Sequence, residues 1–177
     1  SAASDVYKRQ QMNPQITPLM PVLVSPWLSI HVSLIMMSYA LLAFIMLNGI
    51  LALCLRKKEP ENNVSENDDR QDNRIEQLTL VSRLLLYPAT FFLGAGIFLG
   101  AVWANVSWGR YWAWDPKEVW ALITFLVYGA AFHSQSLRIF RKPLFFHIYM
   151  ILAFLTVLMT YFGVNYVLGG MHSYANS

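Results

Sequence analysis

The chain has 177 residues, of which 56% are hydrophobic, 15% aromatic and only 13% charged. Soluble domains run at roughly 45–50% apolar and about 25% charged, so a water-soluble globule, a disordered chain and a disulfide framework are all excluded. What remains is an integral membrane protein with one membrane domain. Its net charge of +3 does not mark a nucleic-acid binder, because Lys and Arg collect at the ends of apolar runs, where they set membrane topology.

Residues 1–10 match neither the apolar pattern that follows nor a signal peptide, and are expected to be a leader foreign to the domain. Residues 11–28 contain Pro14, Pro18, Pro21 and Pro26, which predicts an extended extracytoplasmic approach to the membrane. Four apolar spans follow in the membrane domain of residues 29–174: 29–55, 84–107, 118–137 and 143–168, with a short tail at 175–177. A bilayer core takes roughly 20 helical residues, so each run predicts one crossing. The fold class is therefore an all-α integral membrane protein with four transmembrane helices. The second span carries Pro88 and a Gly96-x-x-x-Gly100 pair, which lets a neighbouring helix come close. The lone Cys54 excludes an internal disulfide and reads as a buried small residue near the membrane surface.

Between the first two spans, residues 56–83 hold six of the thirteen Lys and Arg residues together with seven acids. This connector is predicted to be disordered in its centre, with a short interfacial helix from Ile75. Arg138, Arg141 and Lys142 crowd the turn before the fourth span. The positive-inside rule places both basic segments in the cytoplasm, with both termini and the loop between the second and third helices outside.

That outer loop holds five of the six tryptophans in eighteen residues: Trp103, Trp108, Trp112, Trp114 and Trp120. An interfacial aromatic belt accounts for one or two rings per helix end; a shelf this dense also suits a flat, polarizable ligand. Asp115-Pro116-Lys117-Glu118 reads as a capping box that starts the third helix. The parity of crossings puts His31, before the first span, and His172, after the fourth, on the side of the loop. Two imidazoles there can supply both axial positions of a haem iron, and Arg110 and Lys117 can neutralise its carboxylates or act as interfacial anchors. His133 lies fifteen residues beyond Glu118, deep in the third span, where an ionisable group is a functional candidate by default. His147 is at similar depth but nearer the basic turn, where it can snorkel to the interface.

The run Trp108-Gly-x-Tyr-Trp-x-Trp-Asp-Pro-Lys-Glu-x-Trp120, with Trp27-Leu-Ser-Ile-His31 before it and Gly169-Gly-Met-His172 after it, resembles the tryptophan-rich signature of the cytochrome c assembly proteins. The likeness is to their CcsA/ResC branch and to the fused CcsBA proteins of system II. It implies haem transport from the cytoplasm to the outer loop and attachment there to the Cys-x-x-Cys-His motif of an apocytochrome c. On this resemblance His31 and His172 are axial ligands of haem b and His133 is a transit ligand. Trp108, Arg110, Trp112, Trp114, Asp115 and Trp120 belong to the haem-binding loop, and no catalytic acid or base is assigned. The implied setting is the bacterial cytoplasmic membrane, with a CcsB/ResB-type partner or fused domain. Relatives carry further helices, so the chain is expected to be the C-terminal part of a haem lyase and inactive alone. The other readings are a haem chaperone without synthase activity, and a non-haem transporter or scaffold.

Overall fold

The computed structural model describes residues 26–57, 67–133 and 136–168; the leader, most of the proline-rich approach, the centre of the connector and His172 lie outside these. Regular structure among the described residues is entirely helical: α1 (Pro26–Lys57), α2 (Asn67–Trp108), α3 (Pro116–Ala130) and α4 (Pro143–Leu158), with a π-helical continuation of α4 over Met159–Leu168. Three stretches, Pro26–Arg56, Arg70–Trp108 and Pro143–Tyr166, are long and apolar enough to cross a membrane, and the protein is a multi-pass membrane protein. The third apolar run forms only the fifteen residues of α3, followed by a 3-10 turn at Ala131–His133.

Two expectations are corrected. Pro26 opens α1 as a helical residue, so Trp27 and Leu28 belong to the helix and not to an extended approach. Proline's missing N–H costs nothing in a first turn, where that donor has no partner inside the helix. Among the described residues the connector holds no separate interfacial helix: α2 runs unbroken for 42 residues from Asn67, through Pro88. Its polar first turns are tied down by tertiary bonds. Gln71 Nε2 donates to the Leu55 carbonyl at 2.6 Å, satisfying an acceptor that the end of α1 leaves open. Arg83 donates to the Phe140 carbonyl at 2.5 Å, with its guanidinium 4.8 Å from the centre of the Phe146 ring.

The helices are apolar on nearly every side, so small and hydroxyl residues select the faces that meet. Ser38 donates to the Ala89 carbonyl at 2.8 Å, joining α1 to α2, and Asn48 reaches Ser82 at 3.3 Å. Leu42, Ile45, Leu86, Tyr128, Phe146 and Met150 form the buried core. Phe91, Phe98 and Leu47 stay exposed, as lipid-facing residues do. The glycine pair acts as the spacing predicts: a Cβ on Gly96 would stand 2.6 Å from Ile35 Cδ1 of α1.

His147 does not snorkel. It is 1% exposed and its Nε2 lies 2.9 Å from Thr79 Oγ1. The Thr79 hydroxyl donates to the Ile75 carbonyl at 2.7 Å, so its oxygen is the acceptor and the imidazole proton sits on Nε2. Burial wins because α1 and α2 close over the ring. Thr79→Val removes that acceptor and strands a buried N–H, which is expected to cost about 1–3 kcal/mol. Thermal unfolding in detergent checks this, with Thr79→Ser expected to match the wild type.

Candidate functional site

The loop between α2 and α3 is built by two local devices. Gly109, at φ +73°, closes α2 by donating its N–H to the Asn105 carbonyl at 2.8 Å; this left-handed backbone carries no penalty in glycine. At the other end Asp115 caps α3, its carboxylate accepting from Lys117 N at 3.2 Å. Glu118 reaches back to accept from Asp115 N at 3.3 Å and from Ala113 N at 2.8 Å. The predicted capping box is present, and its second acid also clasps the loop. Asp115 is only 6% exposed, as a cap held beneath the loop should be.

Above this clasp Trp114 adopts φ 57° and is 73% exposed. A left-handed conformation in a bulky residue costs of order 1–3 kcal/mol and is held only where the surroundings impose it. Its indole meets Trp112 edge-on, with ring centres 6.1 Å apart, while Trp103 and Trp108 pair edge-on at 5.0 Å.

Beneath the loop lies a cavity of about 500 Å³ between the first turns of α1, the last turns of α2, the start of α3 and the π-helical segment. His31, Trp103, Trp112, Lys117, Glu118 and Asn165 line it. His31 Nδ1 is 2.7 Å from the Gly96 carbonyl. A carbonyl can only accept, so the neutral ring carries its proton on Nδ1 and its lone pair on Nε2. Gly100 lies against the same ring: a Cβ there would stand 2.7 Å from His31 Cε1. The two small residues of the Gly-x-x-x-Gly pair thus do different jobs. One lets α1 approach and supplies the orienting carbonyl, and the other leaves room for the imidazole.

Lys117 Nζ donates to Asn165 Oδ1 at 3.2 Å, joining α3 to the π-helical segment across the cavity. Burial pulls the Lys117 ammonium below the usual lysine range, against the opposing pull of the Asp115 carboxylate. Trp103 is buried and its indole N–H has no hydrogen-bond partner. A buried donor without an acceptor is uncommon in a folded protein. The cavity therefore offers aromatic walls, an imidazole and a cation, a set suited to a flat apolar body bearing a metal and carboxylates.

Of the residues singled out from the sequence, His31 and Trp112 line this cavity. Trp108 buttresses Trp103, Trp114 flanks Trp112, and Asp115 positions α3. Arg110 is exposed and Trp120 half-buried, both outside the cavity wall. His133 is at the far end of α3, exposed, with Nδ1 3.3 Å from the Gly129 carbonyl. It borders a shallow aromatic groove with Tyr87, Phe91, Phe125 and Phe132. Sequence reasoning missed the unpartnered N–H of Trp103 and the placement of Tyr39 and Asn165 in the cavity wall. Asn165, a polar residue in an apolar run, is the signal that could have found the last of these. No group of three or more His, Cys, Asp and Glu side chains among the described residues is placed to hold a metal ion.

Comparison with known proteins bears on this cavity. The family model described as "Cytochrome C assembly protein" matches residues 6–172. The chain is 42% identical over 164 residues to Protein NrfI of Wolinella succinogenes, covering 93% of this chain and 18% of that protein. To the cytochrome c biogenesis protein CcsA of Chlamydomonas reinhardtii it is 40% identical, covering 90% of this chain and 44% of that protein. With CcsA of Pyropia yezoensis the identity is 35%, over 89% of this chain and 60% of the relative. The chain thus spans between about a fifth and three-fifths of the length of these relatives.

Proposed function

Because the chain belongs to the cytochrome c assembly protein family, we propose that it binds haem in the cavity beneath the tryptophan loop and presents it to an apocytochrome c. The observation that carries this reading is the His31 imidazole, turned by the Gly96 carbonyl so that Nε2 is the ligating atom in an aromatic-walled cavity. His172 supplies the second axial ligand; it follows by seven residues Asn165, which lines the cavity. Trp112 packs on the flat face of the cargo. Lys117 engages its carboxylates, and its partly desolvated ammonium strengthens that contact.

The protein's contribution is positioning, which removes the entropic cost of bringing thiol to vinyl group. Each thioether forms when a cysteine thiol of the Cys-x-x-Cys-His motif adds across a haem vinyl group: the C–S bond forms and the thiol proton passes to the neighbouring vinyl carbon. The apocytochrome's own histidine then replaces one of the two axial imidazoles. Haem arrives from the cytoplasmic side by way of His133 and its aromatic groove. This route requires α3 and the turn after it to complete a fourth crossing, with the tryptophan loop and both termini outside the bacterial cytoplasmic membrane. Residues 29–174 form the assembly domain, which works with a CcsB/ResB-type partner or fused domain.

The test is purification of the protein from haem-replete cells and coexpression with an apocytochrome c. A bis-imidazole haem spectrum in the purified protein and covalent haem on the apocytochrome are the expected results. Haem in the protein without covalent product assigns a chaperone in place of a synthase. A colourless protein, with Trp112→Ala affecting stability alone, overturns the haem reading in favour of a transporter or scaffold.

A further inference from the structure

At the opposite end of the bundle from the tryptophan loop, a second cavity of about 910 Å³ opens between the end of α1, the first turns of α2 and the start of α4. The membrane-crossing stretches bound it closely: one ends at Arg56 and another begins at Pro143, and both residues line it. It therefore sits where hydrocarbon gives way to headgroups. Its polar wall carries two cations, Arg56 and Lys142, two acids, Asp72 and Glu76, and Gln71, while Leu53 and Leu144 contribute an apolar floor.

His147 forms part of the inner wall. Its Nε2–H is committed to Thr79, a residue of α2 outside the lining of this cavity. In that tautomer Nδ1 holds a lone pair, and Nδ1 is buried without a hydrogen-bond partner. A buried acceptor left open costs about 1–3 kcal/mol, so the inner wall of the cavity keeps a polar edge that favours a positive charge near it. Water-filled polar clefts satisfy such atoms too. Among the described residues, this cleft differs in carrying both positive and negative side chains over an apolar floor, at the level of the membrane surface. A zwitterion with a tail matches all three features.

We propose that this cavity is a binding site for one phospholipid with a phosphate and a primary ammonium in its headgroup. The phosphate lies between Arg56 and Lys142, the ammonium faces Asp72 and Glu76 beside His147, and an acyl chain follows Leu53 and Leu144. The site is independent of the haem reading: it shares no residue with the cavity beneath the tryptophan loop. It would tie the otherwise polar start of α2 to the end of α1 and the start of α4 at the membrane surface.

The experiment titrates delipidated, detergent-purified protein with short-chain phosphatidylethanolamine, phosphatidylcholine and phosphatidylglycerol. Retention is read by native mass spectrometry, and the His147 ring by its ¹⁵N shifts. One phosphatidylethanolamine is expected to bind about tenfold more tightly than phosphatidylcholine, whose quaternary nitrogen has no N–H to donate. Only the former should shift Nδ1. The double variant Asp72→Asn, Glu76→Gln changes two exposed side chains and is expected to erase that preference with the fold intact. Arg56→Gln with Lys142→Gln should weaken all three lipids, by about fivefold per cation. Equal retention of the three lipids by the wild type, or retention indifferent to both double variants, overturns the proposal in favour of nonspecific annular lipid. Displacement by the soluble headgroup glycerophosphoethanolamine at matching concentration also overturns it, since the ligand would then be a solute.

Discussion

Gly100→Leu is expected to lower haem retention about 10- to 100-fold, close to the loss produced by His31→Ala, although it removes no ligand. A Cβ at this position already stands 2.7 Å from His31 Cε1 and 2.9 Å from Nδ1, inside any ordinary contact. The remaining leucine atoms cannot fit unless the imidazole leaves its place against α2. Leaving it breaks the 2.7 Å bond to the Gly96 carbonyl and releases Nε2 from the cavity. Removing the partner that orients a metal-ligating histidine typically costs 10- to 100-fold in affinity. Pyridine haemochrome content and the absorption spectrum of the purified protein provide the measurement. Gly100→Ala, whose single methyl can be met by a small ring shift, should give an intermediate loss with a perturbed spectrum. Full haem content in Gly100→Leu would mean that His31 does not ligate from this cavity.

The second large effect is expected at Glu118. Glu118→Ala withdraws the acceptor from two backbone N–H groups, Ala113 N at 2.8 Å and Asp115 N at 3.3 Å. Loss of a helix-cap bond costs about 0.5–2 kcal/mol, comparable with the strain of about 1–3 kcal/mol held at Trp114. The loop is therefore expected to relax, Trp112 to leave the cavity wall, and haem content to fall severalfold with a lower melting temperature. Glu118→Gln keeps the acceptor oxygen and should restore both. At Asp115 the same logic separates capping from chemistry. Asn caps helices as well as Asp, so Asp115→Asn should keep the fold and haem content within about twofold. Asp115→Ala should lose stability. Haem loss in a stable Asp115→Asn protein would instead assign the carboxylate a direct role, through the Lys117 ammonium whose charge it supports.

Much of the bundle is readable from local pattern. Runs of uncharged residues mark the helices because a bilayer admits little else, and Asp115-Pro-Lys-Glu marks a helix start because capping needs only four consecutive residues. The Gly96-x-x-x-Gly100 spacing places two small residues on one face of α2, and that face meets α1. The start of α2 is different. Its composition, rich in Asp, Glu and Arg, does not announce a helix continuous with the apolar span, yet Gln71 and Arg83 are bonded to Leu55 and Phe140. Those partners lie in other elements and leave no trace in the segment itself. In the tryptophan loop the residue types announced a platform, but not which rings form the wall: Trp103 and Trp112 line the cavity, Trp114 stands outside it, and Arg110 lies beyond its wall.

The histidines show where sequence stops. Sequence alone determined that this is a multi-pass helical membrane protein of the cytochrome c assembly family, that its tryptophans gather in one loop, and that a capping box starts the helix after it. Each of these is a property of neighbours in the chain. Only the tertiary structure decided that His31 is turned by a carbonyl 65 residues away, and that His147 is buried against a hydroxyl 68 residues away. The physical reason is that an α-helix apolar all round carries no amphipathic stripe to declare its inward face. In such a bundle, small residues, hydroxyls and orphaned backbone carbonyls choose the faces that meet, and their effect appears only when two helices are brought together.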